Sequence, residues 1–532
     1  MRGLAIRPLF ALIAGVVAST AAAREAQEAA GVNRETEVLL GRLDPGSVAQ
    51  AEEDARRYLD ARAKARIGPV LLEIERFTAV KPDGSVVVSQ YWGRAPLQAY
   101  LYFDAFDILG DRWYLDVALA CADHYLKIQE PEGFWHYAHI VKPDGETVRL
   151  DNPDFQNRAV CRIQDTHQMG AFRLLLYAWG VTGDEKYLRG AKCCGDYMLS
   201  IQNENGSWPD YWIPGHRHTD PNPRQKAGVI SGGSYNDGAT SGGVEMMIIM
   251  FHLTRDPKYV ARFPHLGRWI FDTQFGQGRV RGWCQQYDLA NRPAAARHFE
   301  SPVIDPRTFP RFIVPLCAWL AAMSGEDRYL KLLEETVEWV RSVEKPGPDG
   351  GWAYQYLPDG TPVFTLGGVV YRHDRPETWP KEFPEKHDGI QRYSRDNAGV
   401  GDAPKYLELY RRGGLRAIQD AFRGPVELTP LEFAKARLAA ARRIADPAIL
   451  ASVRERGLRE ADPRYELDRG TNESRRAARL QWEFLRNVRI ARGAFTAKQL
   501  APGGSPPLCG DRPHSFKVGD WFSVPWSAPP RK

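Results

Sequence analysis

Apolar residues recur at helical spacing along most of this chain, and the helical runs are broken by one recurring polar turn. Ile108-Leu-Gly-Asp-Arg-Trp-Tyr114-Leu, Val181-Thr-Gly-Asp-Glu-Lys-Tyr187-Leu, Leu253-Thr-Arg-Asp-Pro-Lys-Tyr259-Val and Met323-Ser-Gly-Glu-Asp-Arg-Tyr329-Leu each join two apolar helical runs. The tyrosines are 73, 72 and 70 residues apart, and Val400-Gly-Asp-Ala-Pro-Lys-Tyr406-Leu is a weaker fifth copy. A repeat of this length is a supersecondary unit. Gly is expected to end the first helix, the acidic residue to cap the second, and Tyr to begin the buried face. Each second helix then runs into a Gly-Trp or Gly-x-Trp turn at Trp135, Trp208, Trp283 and Trp352. Helical hairpins repeated in this way bury a continuous core by stacking. The pattern predicts an all-α fold, an α/α toroid (incomplete barrel) over residues 91–412, with an open solenoid as the alternative.

Outside the repeats the periodicity fades. Residues 24–90 are expected to form an N-terminal helical extension, with one polar helix from Val48 to Lys64 and a turn at Pro82-Asp83-Gly84. Residues 413–532 are expected to form a C-terminal helical extension ending in a Pro-rich tail with Trp521 and Phe522. At the other end, Arg2 and Arg7, the apolar stretch Leu9–Val17 and Ala21-Ala22-Ala23 have the order of a secretory signal peptide over residues 1–23. This places the protein in the periplasm or outside the cell.

Composition narrows the partners. An apolar fraction of 43% is ample for a core. The 71 basic against 66 acidic residues leave a net charge of +5 spread over 532 positions, so no nucleic-acid partner is implied. No membrane span is expected after the N-terminal stretch. Seven cysteines do not make a disulfide scaffold at this length, and none has zinc spacing.

In a repeat fold the chemistry sits on linkers of one face. Counting 22 residues back from each repeat tyrosine gives Trp92, Asp165, Asp237 and Arg307, one register position at the start of each unit. Asp at a helix start is ordinarily an N-cap. Two in register with Asn236 alongside suggest instead a calcium-type site built from oxygen ligands. The linker from Trp283 through Gln286 to Arg297 and Glu300 gathers aromatics, amides and an Arg/Glu pair. It reads equally as a surface ion pair or as a functional loop.

These residues carry a resemblance. Asn205-Gly-Ser-Trp208-Pro209, Tyr235-Asn236-Asp237-Gly-Ala239, and Trp283-Cys-Gln-Gln286-Tyr-Asp288 through Ala296-Arg297-His-Phe-Glu300-x-Pro302 resemble polysaccharide lyase family 10, the pectate lyases, over residues 160 to 375. The resemblance implies β-elimination on a uronate polymer, with Arg297 as base and calcium on Asp237, Asp165 and Asn236. Trp92, Trp208, Trp283, Gln286, Glu300 and Arg307 would bind substrate. The partner is then an acidic polysaccharide and the protein a monomer. The sequence departs from the family at Gly238, where an acidic or amide residue is usual, and at Thr361, where an arginine is expected. Arg372 and Arg392 are the nearby arginines that could take that place. A glycoside hydrolase on the same toroid, using Asp165 and Asp237 as acid and base, and a non-catalytic glycan-binding protein are the alternatives.

Overall fold

The computed structural model describes residues 6–64, 78–89, 94–150, 159–165, 167–215, 232–383, 389–423, 428–455 and 483–500. Trp92 and the tail with Trp521 and Phe522 lie outside them. The chain divides into two compact units. One takes Met1–Arg76, Gln98–Leu119 and Pro425–Gly510, and the other takes Phe77–Leu97, Ala120–Gly424 and Asp511–Lys532.

The first unit is helical. Helix α1 (Ile6–Leu40) packs on α12 (Pro430–Ile444), and α2 (Pro45–Lys64) on α13 (Pro447–Glu455). Helix α2 realises the expected polar helix. Val48, Ala51, Ala55, Ala441, Ile444, Phe484, Leu485 and Val488 form its core. Small residues let the helices approach closely, and ion pairs fasten the rim: Arg437 to Glu37 at 2.9 Å and Arg442 to Glu35 at 2.7 Å. Thr429 and Glu432 form a reciprocal capping box at the start of α12. From Ile6 onward the stretch that reads as a signal peptide is the first part of α1. Among the described residues no helix is long and apolar enough to cross a membrane.

The turn of the first repeat copy, residues 108–115, falls within the first unit, while the second unit carries the α/α toroid hairpins that the later repeats predict. Its hairpins are α5 (His167–Thr182) with α6 (Glu185–Ser200), α7 (Ala239–Thr254) with α8 (Phe263–Asp272), and α9 (Val314–Ser324) with α10 (Arg328–Ser342); α11 (Ala403–Arg423) packs on α9 and α10. The odd-numbered helices of the hairpins are apolar nearly all round and lie inside. In α5 every residue from His167 to Ala178 is buried. Helices α6, α8 and α10 bury one stripe and cover them. Between hairpins run short strands. Strand β1 (Thr78–Val80) and β2 (Val86–Ser89) join β3 (Ala138–Val141) and β4 (Thr147–Arg149) in an antiparallel sheet. The Pro82-Asp83-Gly84 turn is therefore the tip of a hairpin, in a stretch whose sequence suggested only a helix and a turn.

The repeat works as its residue types require. Gly183 and Gly325 end their helices at φ 69° and 71°, and Arg255 takes the same left-handed position at φ 59° in the copy that lacks glycine. Asp184 and Asp256 accept from the main-chain N–H of Lys186 and Lys258, both at 3.0 Å. Tyr187 and Tyr259 donate to Asp123 and Asp196 one hairpin back, at 2.9 and 2.7 Å. In these two copies the repeat tyrosine links neighbouring hairpins; in the copy before α10, Asp327 makes no side-chain cap bond and the Tyr329 hydroxyl accepts from Arg328 at 3.1 Å. The indole N–H groups of Trp135, Trp208, Trp283 and Trp352 donate to the main-chain carbonyls of Tyr125, Met198, Ile270 and Val340 at 2.7–2.8 Å. Each Gly-Trp turn thus folds its ring back onto the helix just completed. A side chain at Gly243 of α7 would come within 2.5 Å of the Trp208 ring, so a glycine is required there.

Candidate active site

Two small ladders set the site. Strand β5 (Cys161–Arg162) pairs with β6 (Tyr211–Trp212), and β7 (Gly233–Ser234) with β8 (Gln286–Tyr287). They bring together the loops that precede α5 and α7 and the linker that carries Arg297. The main-chain N–H of Asp165 donates to the main-chain carbonyl of Asp237 over 2.8 Å. The two carboxylates picked out by register are therefore neighbours.

Neither is an N-cap. Asp165 has φ 59° and Asp237 φ 46°, two of the four described non-glycine residues with left-handed backbone. An N-cap takes extended backbone and bonds the first helical N–H groups. Asp165 instead pairs with Arg162, and the cap position of α7 is Gly238, with no side-chain cap bond. Strain of this kind persists where the surrounding structure enforces it, and it clusters at functional sites.

Four carboxylates meet here. Asp237 is 26% exposed, Asp165 fully buried and Glu300 4% exposed at the side chain. Asp210, which the sequence reading did not single out, is also buried. It accepts from Gln286 Nε2 at 2.8 Å. Burial pushes its carboxyl up to about 7, with the Ser234 hydrogen bond opposing. Burial likewise pushes Asp165 up to about 6 against the pull of Arg162, and raises Asp237 against Arg297. Oδ1 of Asp165 and Oδ1 of Asp210 are buried without a hydrogen-bond partner.

Arg297 is the exposed cation of the site, with 45% of its side chain open to solvent. Its Nη2 stands 3.7 Å from Asp237 Oδ2. Its guanidinium holds Glu300 through Nε at 2.9 Å and through Nη2, and its main-chain N–H also donates to Glu300 at 3.1 Å. The expected Arg297–Glu300 pair exists, but its carboxylate is buried, unlike that of an ordinary surface bridge. Burial disfavours the charged guanidinium, yet Glu300 and Asp237 outweigh it and the pKa rises. The net shift carries Arg297 away from the range of a general base.

The other predicted substrate contacts fall in different places. Trp208 is 0% and Trp283 1% exposed. They are core pieces with satisfied N–H groups, and neither offers a ring face to a sugar, which corrects the expectation for both. Gln286 is buried and holds Asp210, and Asn236 is buried with Nδ2 3.4 Å from Gln164. Both support the site from behind. Arg307 pairs with Asp305, stacks 4.0 Å from the Tyr354 ring and is largely enclosed. Arg372 is held by Asp374 at 2.8 and 2.9 Å.

Asp210 directly follows the Asn205–Pro209 motif, and Arg162 lies three residues before Asp165. Their polar character was the available signal; only the two ladders show that they face the same loops.

No protein-family model matches the chain, and no curated protein matches it. Solved structures share helical-hairpin architecture at low similarity. A family 10 polysaccharide lyase from Cellvibrio cellulosa is 13% identical with a TM-score of 0.37, covering 60% of this chain and 97% of that one. A D-mannose isomerase is 12% identical at 0.37, covering 70% and 97%. The α-1,2-mannosidase from Trichoderma reesei is 12% identical at 0.37, covering 75% and 85%. Likenesses this loose carry no functional argument.

Proposed function

We propose that this chain is a carbohydrate-active enzyme, specifically a secreted, monomeric polysaccharide lyase that cleaves a uronate-containing, pectate-like polymer by β-elimination. The observation that carries this is the solvent-facing Arg297–Asp237 pair at 3.7 Å, backed by the buried carboxylates Asp165, Asp210 and Glu300. The order of residues in Met1–Ala23 supports secretion.

In β-elimination the C–H bond beside the uronate carboxyl breaks, its proton passes to solvent water or hydroxide at the open face of the site, its electron pair forms the C=C bond, and the glycosidic C–O bond breaks with the leaving oxygen protonated from solvent. The proton is acidic enough only when charge is drawn out of that carboxylate. Arg297 supplies a fixed positive charge and planar N–H donors for this, and Glu300 holds the plane of the guanidinium. In this reading Arg297 binds the reacting uronate as a cation.

The oxygen donors at hand support calcium as the cofactor of this reading. Four carboxylates face two guanidinium groups, those of Arg162 and Arg297, and Asp165 Oδ1 is an orphaned buried oxygen. Asp165 and Asp237 would hold the ion, with Asn236 beside them. Among the described residues no three His, Cys, Asp or Glu side chains converge at metal distance, so water and substrate would complete the shell. When bound, the ion would help neutralise the substrate carboxylate.

The hydrolase reading is less well supported. It needs two carboxylates that reach the glycosidic bond, and of these four only Asp237 has substantial exposure. Incubating the purified protein with polygalacturonate tests the proposal. Ultraviolet absorbance of an unsaturated product is expected; reducing ends without that absorbance would favour the hydrolase.

A further inference from the structure

The second unit holds a cavity of about 930 Å³ that is lined by none of Asp165, Asp210, Asp237, Arg297 and Glu300, although Thr361 and Arg392 are in its wall. Its wall comes from the turn after α10, Thr361 and Pro362 at the start of β10 (Pro362–Leu366), His373, Asp374 and Trp379 after β11 (Val369–Arg372), and residues 391–395. We propose that it is a second saccharide site, which binds an acidic sugar unit of the same polymer away from Arg297. The choice of polymer rests on the lyase reading; the class of ligand rests on the lining.

Two features of the lining select that class. The first is a fixed aromatic platform. Trp379 is half-buried, its indole N–H donates to the main-chain carbonyl of Arg372 at 2.8 Å, and it meets Phe364 edge-on at 5.2 Å and His373 at 5.7 Å. Tyr393 packs against His373 at 5.0 Å on the other side. A ring clamped in this way on the cavity wall is an ordered apolar surface, which suits the C–H face of a sugar. The second feature is charge. Lys345 is exposed, with Nζ 4.7 Å from the centre of the Tyr393 ring. Arg395 is two-thirds exposed, and its pairing with Glu344 is loose at 3.5 Å. The wall carries Lys345, Arg392 and Arg395 against Asp349 and Asp374, and Asp374 is already paired with Arg372. The balance around the platform is positive, which suits a carboxylate on the sugar.

The scaffold is rigid. Strand β11 pairs with β10, Lys345 bridges to Gly351, and Trp352 bridges to Ser394. The backbone that carries Lys345 and Arg395 is therefore set beside the platform before any ligand arrives, while their exposed side chains order on binding.

The test is calorimetric titration of the full-length Arg297→Ala protein, in which turnover is removed, with a galacturonate trimer and with its methyl ester. The acid trimer should bind and the ester should bind about tenfold or more weakly, a difference of about 1.4 kcal/mol. In the same background Trp379→Ala should remove this binding. Because Trp379 also packs on Phe364, the surface variants Lys345→Glu and Arg395→Glu are the check that does not depend on folding; each should weaken binding about tenfold. Isotherms unchanged by Trp379→Ala and by both charge reversals, or no binding of the acid trimer at all, would overturn the inference. Pocket-dependent binding without unsaturated product from the wild type would sink the lyase reading and leave this site standing. Product formed normally, with binding insensitive to the pocket, would do the reverse.

Discussion

The main-chain N–H of Asp165 donates to the main-chain carbonyl of Asp237 across 2.8 Å, although the two residues are 72 positions apart. One repeat length in sequence has become one hydrogen bond in space. That bond locks two left-handed aspartates side by side, and the arrangement decides which substitutions are informative.

Asp237→Asn is the better probe of the cation seat. Asn tolerates left-handed backbone, whereas Ala at φ 46° adds about 1 kcal/mol of strain. Asp237→Asn should leave the melting temperature within a few degrees of wild type and weaken calcium-stimulated activity by about tenfold or more. A calcium titration of initial rates checks it. Undiminished activity of the variant in chelator would remove Asp237 from the site.

Arg297→Lys separates two roles. Lysine keeps the charge but cannot hold Glu300 through two nitrogens. The rate should fall about 10²-fold with a smaller change in KM, because the planar donors act mainly as charge develops. Glu300→Gln makes the discriminating companion. If Arg297 acts as a cation, loosening it lowers the rate at every pH. If Arg297 is the base that the family resemblance implies, losing Glu300 lowers its pKa, and the rate should rise on the alkaline side. Full pH–rate profiles of both variants decide between them.

Asp210 should govern how stability varies with pH. Its folded pKa of about 7 lies above the unfolded value of 3.8. The folded state therefore incurs no ionisation cost below about pH 4 and loses stability as pH rises through 7. Asp210→Asn removes that loss and still accepts from Gln286. It should raise stability at pH 8 by about 2–4 kcal/mol and by little at pH 4. Denaturant unfolding at the two pH values measures this. Equal effects at both would mean that Asp210 is not held as a buried acid.

Buried histidines act with the opposite sign. Burial lowers His124 to about 4 and His139 to about 3, from 6.5. Their neutral forms contribute stability that is present above pH 6.5 and lost as pH falls toward 3. His139→Leu should flatten the acid limb of a melting-temperature profile between pH 6 and 4. An unchanged slope there would contradict the assignment.

The fold was legible because its repeat is chemical as well as hydrophobic. In its fullest copy, Gly183-Asp184-Glu-Lys-Tyr187, the turn fixes a helix end, a helix start and a hairpin-to-hairpin bond in one string, and the register of the repeat brought Asp165 and Asp237 together. The tryptophans misled for a related reason: a Gly-Trp turn has the same composition whether the ring stacks on a sugar or fills the core. Its recurrence in every unit favoured packing, since a single site does not need four copies. Asp210 and Arg162 stayed hidden because strand pairs of two residues each, too short to show alternation, are what aim them inward. The packing of α1 on α12 joins segments about 400 residues apart, and neither periodicity records it.

The central claim is that Arg297 and Asp237 form an eliminase site, and the product tests it most directly. Polygalacturonate incubated with wild type, with and without chelator, and with Arg297→Ala should be followed by ultraviolet absorbance and mass spectrometry together. The account predicts unsaturated oligouronates from the wild type, a reduced yield in chelator, and none from Arg297→Ala. Saturated products from the wild type, or unsaturated product formed at wild-type rate by Arg297→Ala, would contradict it.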